Sequence, residues 1–287
     1  MGGPNIGDRL NAFGITWGWF EGGFNLTTTN LNGTTGCQRS STSGITGVTT
    51  NDYIPHHQPF QYYASTANPT HSRPTSLAAI GGTDRANHQY DIRDFFTALS
   101  AGNLPAVSFL KPIAIQDGHP GYSSPLDEQQ SIVKIINALQ QSAFWSSTAV
   151  VILYDDSDGW YDHQVSPIVN HSNTAADQLT SNSACGDGSS ALRGIKPKTL
   201  HAQGRCGYGP RTPLLVISGW SKSNFVDHTL TDQTSVLRFI EDNWLGGQRL
   251  GAGSFDAIAG PINNMFDFNH FSPTTLILSP GSGQPVS

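Results

Sequence analysis

The sequence predicts an α/β fold built on a mostly parallel sheet. Apolar segments of strand length alternate along the chain with amphipathic helical segments, which is the pattern of that fold class. The composition agrees with a folded chain, because 37% of the residues are hydrophobic, 10% aromatic and only 13% charged, whereas disordered chains are poor in aromatics and rich in charge. The 287 residues are enough for one large or two small domains.

Four segments are predicted to be strands. Residues 15–20 alternate in hydrophobicity and residues 104–110 are largely apolar. Residues 148–154 and 213–218 are almost fully apolar, as expected for strands that are buried on both faces of a sheet.

Four helices are predicted, at residues 8–13, 90–99, 125–139 and 231–244. Pro125 suits the first turn of the third helix, and Thr229 or Thr231 is the expected cap of the fourth. Apolar residues recur at helical spacing in the last two.

The remaining segments are predicted to be loops. Residues 21–76 and 165–209 are polar and rich in Gly, Thr, Asn and Pro without a clear period. Long loops of this kind usually carry function. Residues 272–287 are expected to form a Pro/Gly/Ser-rich tail after a domain of residues 1–271.

The charge balance excludes some classes of partner. The chain has 15 Lys+Arg, 21 Asp+Glu and a formal charge of −6, with no basic run, so nucleic-acid binding is not expected. Residues 149–153 form the longest apolar run and are too few to span a bilayer. Residues 1–4 do not resemble a signal peptide.

The chain contains three cysteines, Cys37, Cys185 and Cys206. Cys185 and Cys206 enclose a Gly/Ser-rich stretch, and a disulfide between them would reduce the entropy of the unfolded chain. Spacing alone does not decide between this disulfide and free thiols.

A cluster of acidic residues follows the apolar strand at residues 148–154. Four carboxylates and an imidazole lie within the nine residues 155–163, and like charges this close repel unless a cation or hydrogen bonds compensate. Asp155 and Asp156 come directly after the strand, where carboxylates suit a hard divalent metal ion. The alternative is an ordinary polar turn.

Two further segments carry histidines that are candidates for chemistry. His56 and His57 are adjacent and lie between Pro55 and an aromatic run, which indicates a stiff loop. His119 follows the strand predicted at residues 104–110. Histidine serves as metal ligand, proton donor or partner of an anion. The alternative for each is a structural role.

Carboxylates and histidines around a metal ion favour hydrolysis of a phosphate ester or a similar ester. The chain has no Gly-x-Ser-x-Gly, no Walker loop and no dinucleotide glycine fingerprint.

These motifs together resemble the bacterial phospholipase C / acid phosphatase family of phosphoesterases. The matching stretches are residues 52–63, 118–120 and 154–163, supported by residues 6–10 with Trp17, 209–213 and 226–241. Their order and spacing extend over nearly the whole chain.

The resemblance implies a three-layer α/β/α core of the alkaline-phosphatase type. It further implies a divalent metal cofactor, a phosphate monoester or phospholipid substrate, transient contact with a membrane surface, and a secreted or periplasmic location. It assigns metal binding to Asp155 and Asp156, and catalysis and phosphate binding to His56, His57 and His119. Asp162 and His163 would contact the metal ligands and orient them, without binding the metal themselves. This assignment requires the two aspartates and three histidines to converge.

One departure from the family concerns the amino-terminal part. Members carry a Glu-Asn metal-binding pair and a Ser/Thr nucleophile upstream, whereas this sequence contains no Glu-Asn pair and the resemblance begins at Ile6. The chain is therefore expected to be the carboxyl-terminal part of such an enzyme, with an incomplete sheet, and to be inactive alone. The rival hypotheses are a non-catalytic remnant that binds phosphate or headgroups, and a secreted structural domain whose aspartates bind calcium.

Overall fold

The computed structural model describes residues 1–173, 175, 177–190 and 207–286. In chain order the strands are β1 (Trp17–Glu21), β2 (Ser40–Thr42), β3 (Thr49–Asn51), β4 (Gln89–Asp91), β5 (Val107–Lys111), β6 (Ala149–Leu153), β7 (Asn170–Ser172), β8 (Cys185–Ser190) and β9 (Leu214–Ser218). The α-helices are α1 (Ile6–Ala12), α2 (Ile92–Ser100), α3 (Pro125–Gln140) and α4 (Ser235–Trp244).

The chain divides into two compact units. The first contains Met1–Val150 and His270–Ser287, and the second contains Val151–Asn269. The helices and the parallel strands confirm the prediction of an α/β fold.

A three-stranded parallel sheet organises the first unit. Its order is β4-β1-β5, so β1 is the central strand. Aromatic side chains form the core beside it: Phe20 packs on Tyr90 at 5.1 Å between ring centroids and on Phe95 at 5.8 Å. Trp17 is fully buried and its ring lies 4.7 Å from that of Phe60. The central strand thus supplies buried aromatic side chains to the core of the first unit.

Local sequence signals explain where the helices of the first unit begin. Asn5 caps α1 and Asp91 caps α2, each in a reciprocal capping box with the acidic residue three positions later. Ser124 caps α3, and Pro125 occupies its first turn. All three starts agree with the sequence analysis to within two residues.

Residues 21–76 contain short elements in place of one long loop. β2 and β3 form an antiparallel hairpin, and several short 3₁₀ turns follow it. β4 was also missed, because it immediately precedes α2 and two of its three residues, Tyr90 and Asp91, were included in the predicted helix. The residues after 272 pack on α3, where Asn137 and Gln140 hydrogen-bond the backbone of Leu278 and Leu276.

Most of β6 lies in the second unit, and it pairs with β9, while β7 pairs with β8 in antiparallel orientation. The prediction that β6 and β9 are buried on both faces is wrong for the described residues. Leu153 and Leu215 are 37% and 54% exposed, since this sheet contains two strands in the part of the chain that is described.

The predicted start of α4 is also wrong. The helix begins at Ser235, and its capping residue Thr234 makes no side-chain capping bond. The Thr234 hydroxyl instead donates to Asp232, and the Thr229 hydroxyl donates to Asp227. Side chains that bond within the preceding turns compete with helix capping.

The sequence left open whether Cys185 pairs with Cys206, and Cys206 lies outside the described residues. Cys37 is a free, exposed cysteine.

Candidate functional site

The carboxyl ends of the parallel strands in the first unit place three charged residues side by side. Glu21 at the end of β1 is the register partner of Asp91 on β4 and of Lys111 on β5. Ligands of open α/β sheets bind beyond this edge. The loops that follow these strands are therefore the first place to look for a site.

A buried arginine connects this edge to the loop that carries His56 and His57. The Arg39 guanidinium lies 2.8 Å from the Asp52 carboxylate and 3.5 Å from that of Asp91. All three side chains are at least 95% buried. The backbone N–H of Ala114 in turn donates to the Asp52 carbonyl. Asp52 thus joins the histidine loop to the segment after β5.

The two adjacent histidines lie in a 3₁₀ turn, Pro55–His57. Pro55 fixes the backbone at the start of the turn, and the His57 N–H donates to the carbonyl of Ile54 at 3.0 Å. The imidazoles meet edge to face at 4.5 Å. His56 is exposed, and the side chain of His57 is largely buried.

Asp117 connects the two histidine segments. Its Oδ2 lies 3.4 Å from His57 Nδ1, and its Oδ1 accepts the backbone N–H of His119 at 3.0 Å. The Tyr122 hydroxyl lies 3.4 Å from Oδ2. Burial raises the pKa of Asp117, opposed by the His119 N–H, by Lys111 and by Tyr122. A single buried carboxyl group therefore orders both loops.

His119 is exposed and held by its neighbours in the same loop. Its ring stacks on Tyr122 at 4.5 Å, and Nδ1 lies 2.6 Å from the Pro120 carbonyl. Because a carbonyl oxygen only accepts hydrogen bonds, this contact places a proton of the His119 ring on Nδ1. The structure thus joins the segments of His56, His57 and His119 through Asp117.

Two residues of this edge were missed from sequence. Glu21 is 99% buried and accepts the Trp19 indole N–H at 3.0 Å. Burial raises its pKa to about 8. Asp117, two positions before His119, was likewise not predicted as a site residue. The available signal was position, because Glu21 immediately follows a predicted strand.

Asp155 and Asp156 follow β6 in the second unit, as predicted, and both are exposed. Asp156 Oδ1 accepts the backbone N–H of Asp158 at 2.5 Å, which is an ordinary turn bond. The described residues include no group of three or more His, Cys, Asp or Glu side chains that could hold a metal ion. Two carboxylates do not complete the coordination of a divalent cation, so these residues alone do not fit a resident metal.

Asp162 and His163 have different partners. Asp162 forms a bidentate ion pair with Arg211 at 2.8 Å and also accepts the Arg211 backbone N–H. This pairing lowers the pKa of Asp162. The His163 ring meets Tyr161 edge to face at 4.8 Å. The side chain that Asp162 orients here is Arg211.

Two other histidines have structural roles. His88 stacks on Trp17 at 4.3 Å, and His71 stacks on Phe24 at 4.0 Å. Each Nδ1 bonds the backbone carbonyl of the same aromatic residue. Burial lowers the pKa of both imidazoles, so the neutral form is favoured.

The fold and this edge define an α/β protein with histidine-bearing loops beyond the carboxyl ends of parallel strands. The Phosphoesterase family model matches residues 1–245, and the chain belongs to that family.

Curated relatives are phospholipases C by name. The chain is 32% identical over 184 residues to non-hemolytic phospholipase C of Pseudomonas aeruginosa, covering 58% of this chain and 24% of the relative. It is 28% identical over 203 residues to non-hemolytic phospholipase C of Burkholderia pseudomallei, covering 69% of this chain and 27% of the relative. It is 26% identical over 175 residues to phospholipase C A of Mycobacterium tuberculosis, covering 61% of this chain and 32% of the relative. The matches thus span about a quarter to a third of the length of these relatives.

Within the described part of the chain, helices with the length and hydropathy needed to cross a bilayer are absent.

Proposed function

We propose that this chain is part of a phosphoester hydrolase of the phospholipase C or phosphatase type. In this proposal His56, His57 and His119 bind the phosphoryl group. The observation that carries it is the link through Asp117, which pairs with His57 and accepts the His119 N–H. Membership in the Phosphoesterase family supports the same reaction class.

Imidazoles suit this task for a physical reason. A phosphate ester presents anionic oxygens, and a protonated imidazole supplies both a hydrogen bond and a compensating charge. The Asp117 carboxyl group lies 3.4 Å from His57 Nδ1 and can hold that ring in a fixed orientation. An imidazolium can also donate its proton to the leaving oxygen. We assign these residues to binding and proton transfer.

The substrate class follows from the relatives' names and from the family resemblance. A phospholipid headgroup ester and a phosphate monoester share the phosphoryl group that the histidines would bind. Action on a phospholipid requires transient contact with a membrane surface. The proposed substrates are therefore a phospholipid headgroup ester and a phosphate monoester, and the proposed location of the protein is secreted or periplasmic.

Asp155 and Asp156 are proposed as carboxylate ligands of a divalent metal ion, with Asp162 and His163 behind them. A metal ion in a phosphoesterase neutralises developing oxyanion charge. Because these carboxylates do not complete a metal site among the described residues, no step of the reaction is assigned to the metal. We also propose the three-layer alkaline-phosphatase-like arrangement and a catalytic domain of residues 1–271.

The test is a pair of measurements on the full chain. Inorganic phosphate binding is followed by calorimetry, and hydrolysis of p-nitrophenyl phosphate and p-nitrophenyl phosphorylcholine is followed with and without Mg²⁺, Ca²⁺ or Zn²⁺. Alanine at His56, His57 or His119 should each weaken phosphate binding by about tenfold, the cost of one charge-assisted hydrogen bond. His270→Ala, an exposed histidine in the same unit, is the matched control.

The outcomes separate the rival hypotheses. Turnover that Asp155→Ala abolishes supports a metal-assisted hydrolase. Phosphate binding without turnover supports the non-catalytic remnant. Unchanged phosphate affinity in the variant with all three histidines replaced would contradict both.

A further inference from the structure

Arg39 is an arginine whose charged group is removed from water. The residue is 1% exposed and directly precedes β2. Its backbone carbonyl accepts the N–H of Asp52 at 2.8 Å, which extends the β2–β3 hairpin by one residue pair. Its side-chain Nε donates to Asp52 Oδ2, also at 2.8 Å. The backbone and the side chain of Arg39 therefore hold the same residue at the start of the histidine loop.

The second carboxylate that Arg39 contacts belongs to the sheet. Arg39 Nη2 lies 3.5 Å from Oδ2 of Asp91, the last residue of β4. Asp91 is itself held in place, because its carboxylate accepts the backbone N–H groups of Asn25 and Arg93. The guanidinium group thus connects a carboxylate of the histidine loop to a fixed carboxylate at the edge of the sheet.

Asp52 is also confined by its backbone contacts. Its carbonyl accepts the N–H of Ala114, in the segment after β5, at 3.1 Å. Gly23 packs so closely that a Cβ atom there would lie 2.6 Å from the Tyr53 nitrogen and 2.8 Å from the Asp52 Cβ. Only glycine permits this approach, and it leaves residues 52 and 53 little room to move.

The segment from Asp52 to the histidines is short and fixed at its far end. His57 follows Asp52 by five positions, and Pro55 restricts the backbone between them. Gln58, directly after His57, is completely buried. Its side chain accepts the Tyr53 hydroxyl at 2.8 Å and donates to Gln89 of β4 at 3.0 Å. A displacement of Asp52 would therefore be transmitted to the histidine turn.

Stability alone is a weak reason for burying these charges. The desolvation of a buried ion pair often outweighs the attraction between its charges. Among the residues that the structure describes, Arg39 Nη1 and Asp52 Oδ1 are buried without a hydrogen-bond partner, which is a further destabilising term. What the arginine supplies is geometry, because its planar fork of donors reaches two carboxylates in fixed directions.

We propose that Arg39 is a positioning residue, whose guanidinium group binds Asp52 and Asp91 together and thereby holds His57 against Asp117. This inference rests on the proposed function in assigning His57 to phosphate binding. Arg39 itself touches no substrate, because its side chain is enclosed by the protein; it acts through the backbone of residues 52–57.

The experiment removes the ion pair without leaving its partner unpaired. Arg39→Met alone leaves two buried carboxylates without their cation, which is strongly destabilising. Arg39→Met combined with Asp52→Asn deletes one positive and one negative charge together, and Asp91 keeps its two backbone donors. Arg39→Lys is the second variant, since it keeps the charge and replaces the planar fork by a point charge.

The matched controls alter a similar cluster in the second unit. There Arg249 pairs with the fully buried Glu241 at 3.1 Å and with Asp242 at 2.7 Å. The control for the double variant is Arg249→Met with Glu241→Gln, and the control for Arg39→Lys is Arg249→Lys. Imidazole signals of His56 and His57 are recorded by NMR at one pH, and calorimetry with inorganic phosphate measures binding.

The Arg39 double variant should shift the His57 signals and bind phosphate about tenfold more weakly, as for the loss of one charge-assisted hydrogen bond. Arg39→Lys should shift the same signals and bind phosphate about threefold more weakly. The Arg249 controls should leave the signals in place and bind phosphate within about twofold of the wild type. Because every variant keeps the net charge of the chain, a shift reports movement of the ring.

Two results would overturn the inference: unchanged His57 signals or unchanged phosphate affinity in the folded Arg39 variants, or equal effects in the Arg249 controls. Arg39→Lys decides the matter where the double variant does not fold. Failure of the wild-type chain to bind phosphate would overturn the proposed function instead, because the imidazole signals report on positioning without any ligand.

Discussion

At the scale of single residues, burial decides which carboxyl groups carry a proton. Glu21 and Asp117 have raised pKa values because the protein removes them from water. Asp162 has a lowered pKa because Arg211 binds it in two places. Burial thus favours the protonated carboxyl group, whereas the ion pair with arginine favours the carboxylate.

The raised pKa of Glu21 predicts how stability depends on pH. The ordinary value is 4.5 and the folded value about 8, so the folded state binds this proton more tightly than the unfolded state. The resulting stabilisation is complete below pH 4.5, decreases as the pH rises, and is lost by about pH 8. Glu21→Gln should flatten this decline by about 2 kcal/mol or more.

Urea unfolding followed by tryptophan fluorescence at several pH values measures the effect. Glu241 in the second unit also has a raised pKa, about 7, and contributes a decline in the same direction. The comparison is therefore the difference between Glu21→Gln and the wild type, with Glu128→Gln as the control. An identical pH slope in Glu21→Gln and the wild type would contradict the prediction.

At the scale of elements, the ends of strands and helices determine what the loops can present. The three parallel strands bring Glu21, Asp91 and Lys111 to one edge. The loop after β5 then leads through Asp117 and His119 to the capped start of α3. Ser124, its capping residue, therefore terminates the candidate site as well as starting a helix.

Removal of this cap tests how much it stabilises the folded chain. The Ser124 hydroxyl accepts the Asp127 N–H at 3.1 Å and donates to the Asp127 carboxylate at 2.8 Å. Ser124→Ala should cost about 1 kcal/mol of unfolding free energy, measured by urea unfolding. Ser100→Ala, at the exposed end of α2, should change it by less than about 0.5 kcal/mol. Equal effects of the two substitutions would show that the cap contributes nothing specific.

At the scale of the whole molecule, net charge restricts the partners. The formal charge of −6 repels polyanions at long range. Binding of a small phosphate group at His56, His57 and His119 remains compatible with this charge, because it depends on local hydrogen bonds. The protein should thus discriminate between a phosphate ester and a nucleic-acid backbone.

This discrimination is measurable by fluorescence anisotropy with a labelled DNA duplex. At about 0.15 M salt we expect no binding at protein concentrations up to about 100 μM, since nonspecific affinity depends on phosphate neutralisation by basic residues. Inorganic phosphate, measured by calorimetry on the same preparation, serves as the positive control. A salt-dependent DNA affinity in the micromolar range would refute the expectation.

The sequence by itself determined the elements whose signals are local. Pro125 and helical apolar spacing located α3, alternating hydrophobicity located β1, and Pro55 indicated a stiff turn for His56 and His57. The order and spacing of the motifs along the sequence also indicated the phosphoesterase family, to which the chain belongs.

Only the tertiary structure decided which groups lie close together and which are buried away from water. Folding brings the Asp117 carboxyl group within 3.4 Å of His57 Nδ1, although the two residues lie 60 positions apart in the sequence. The exposure of β6 and β9 could not be predicted from the sequence either, because the burial of a strand depends on which elements pack beside it. The physical reason is common to these cases: pKa and burial are set by distance and by exclusion of water, which exist only after the chain has folded.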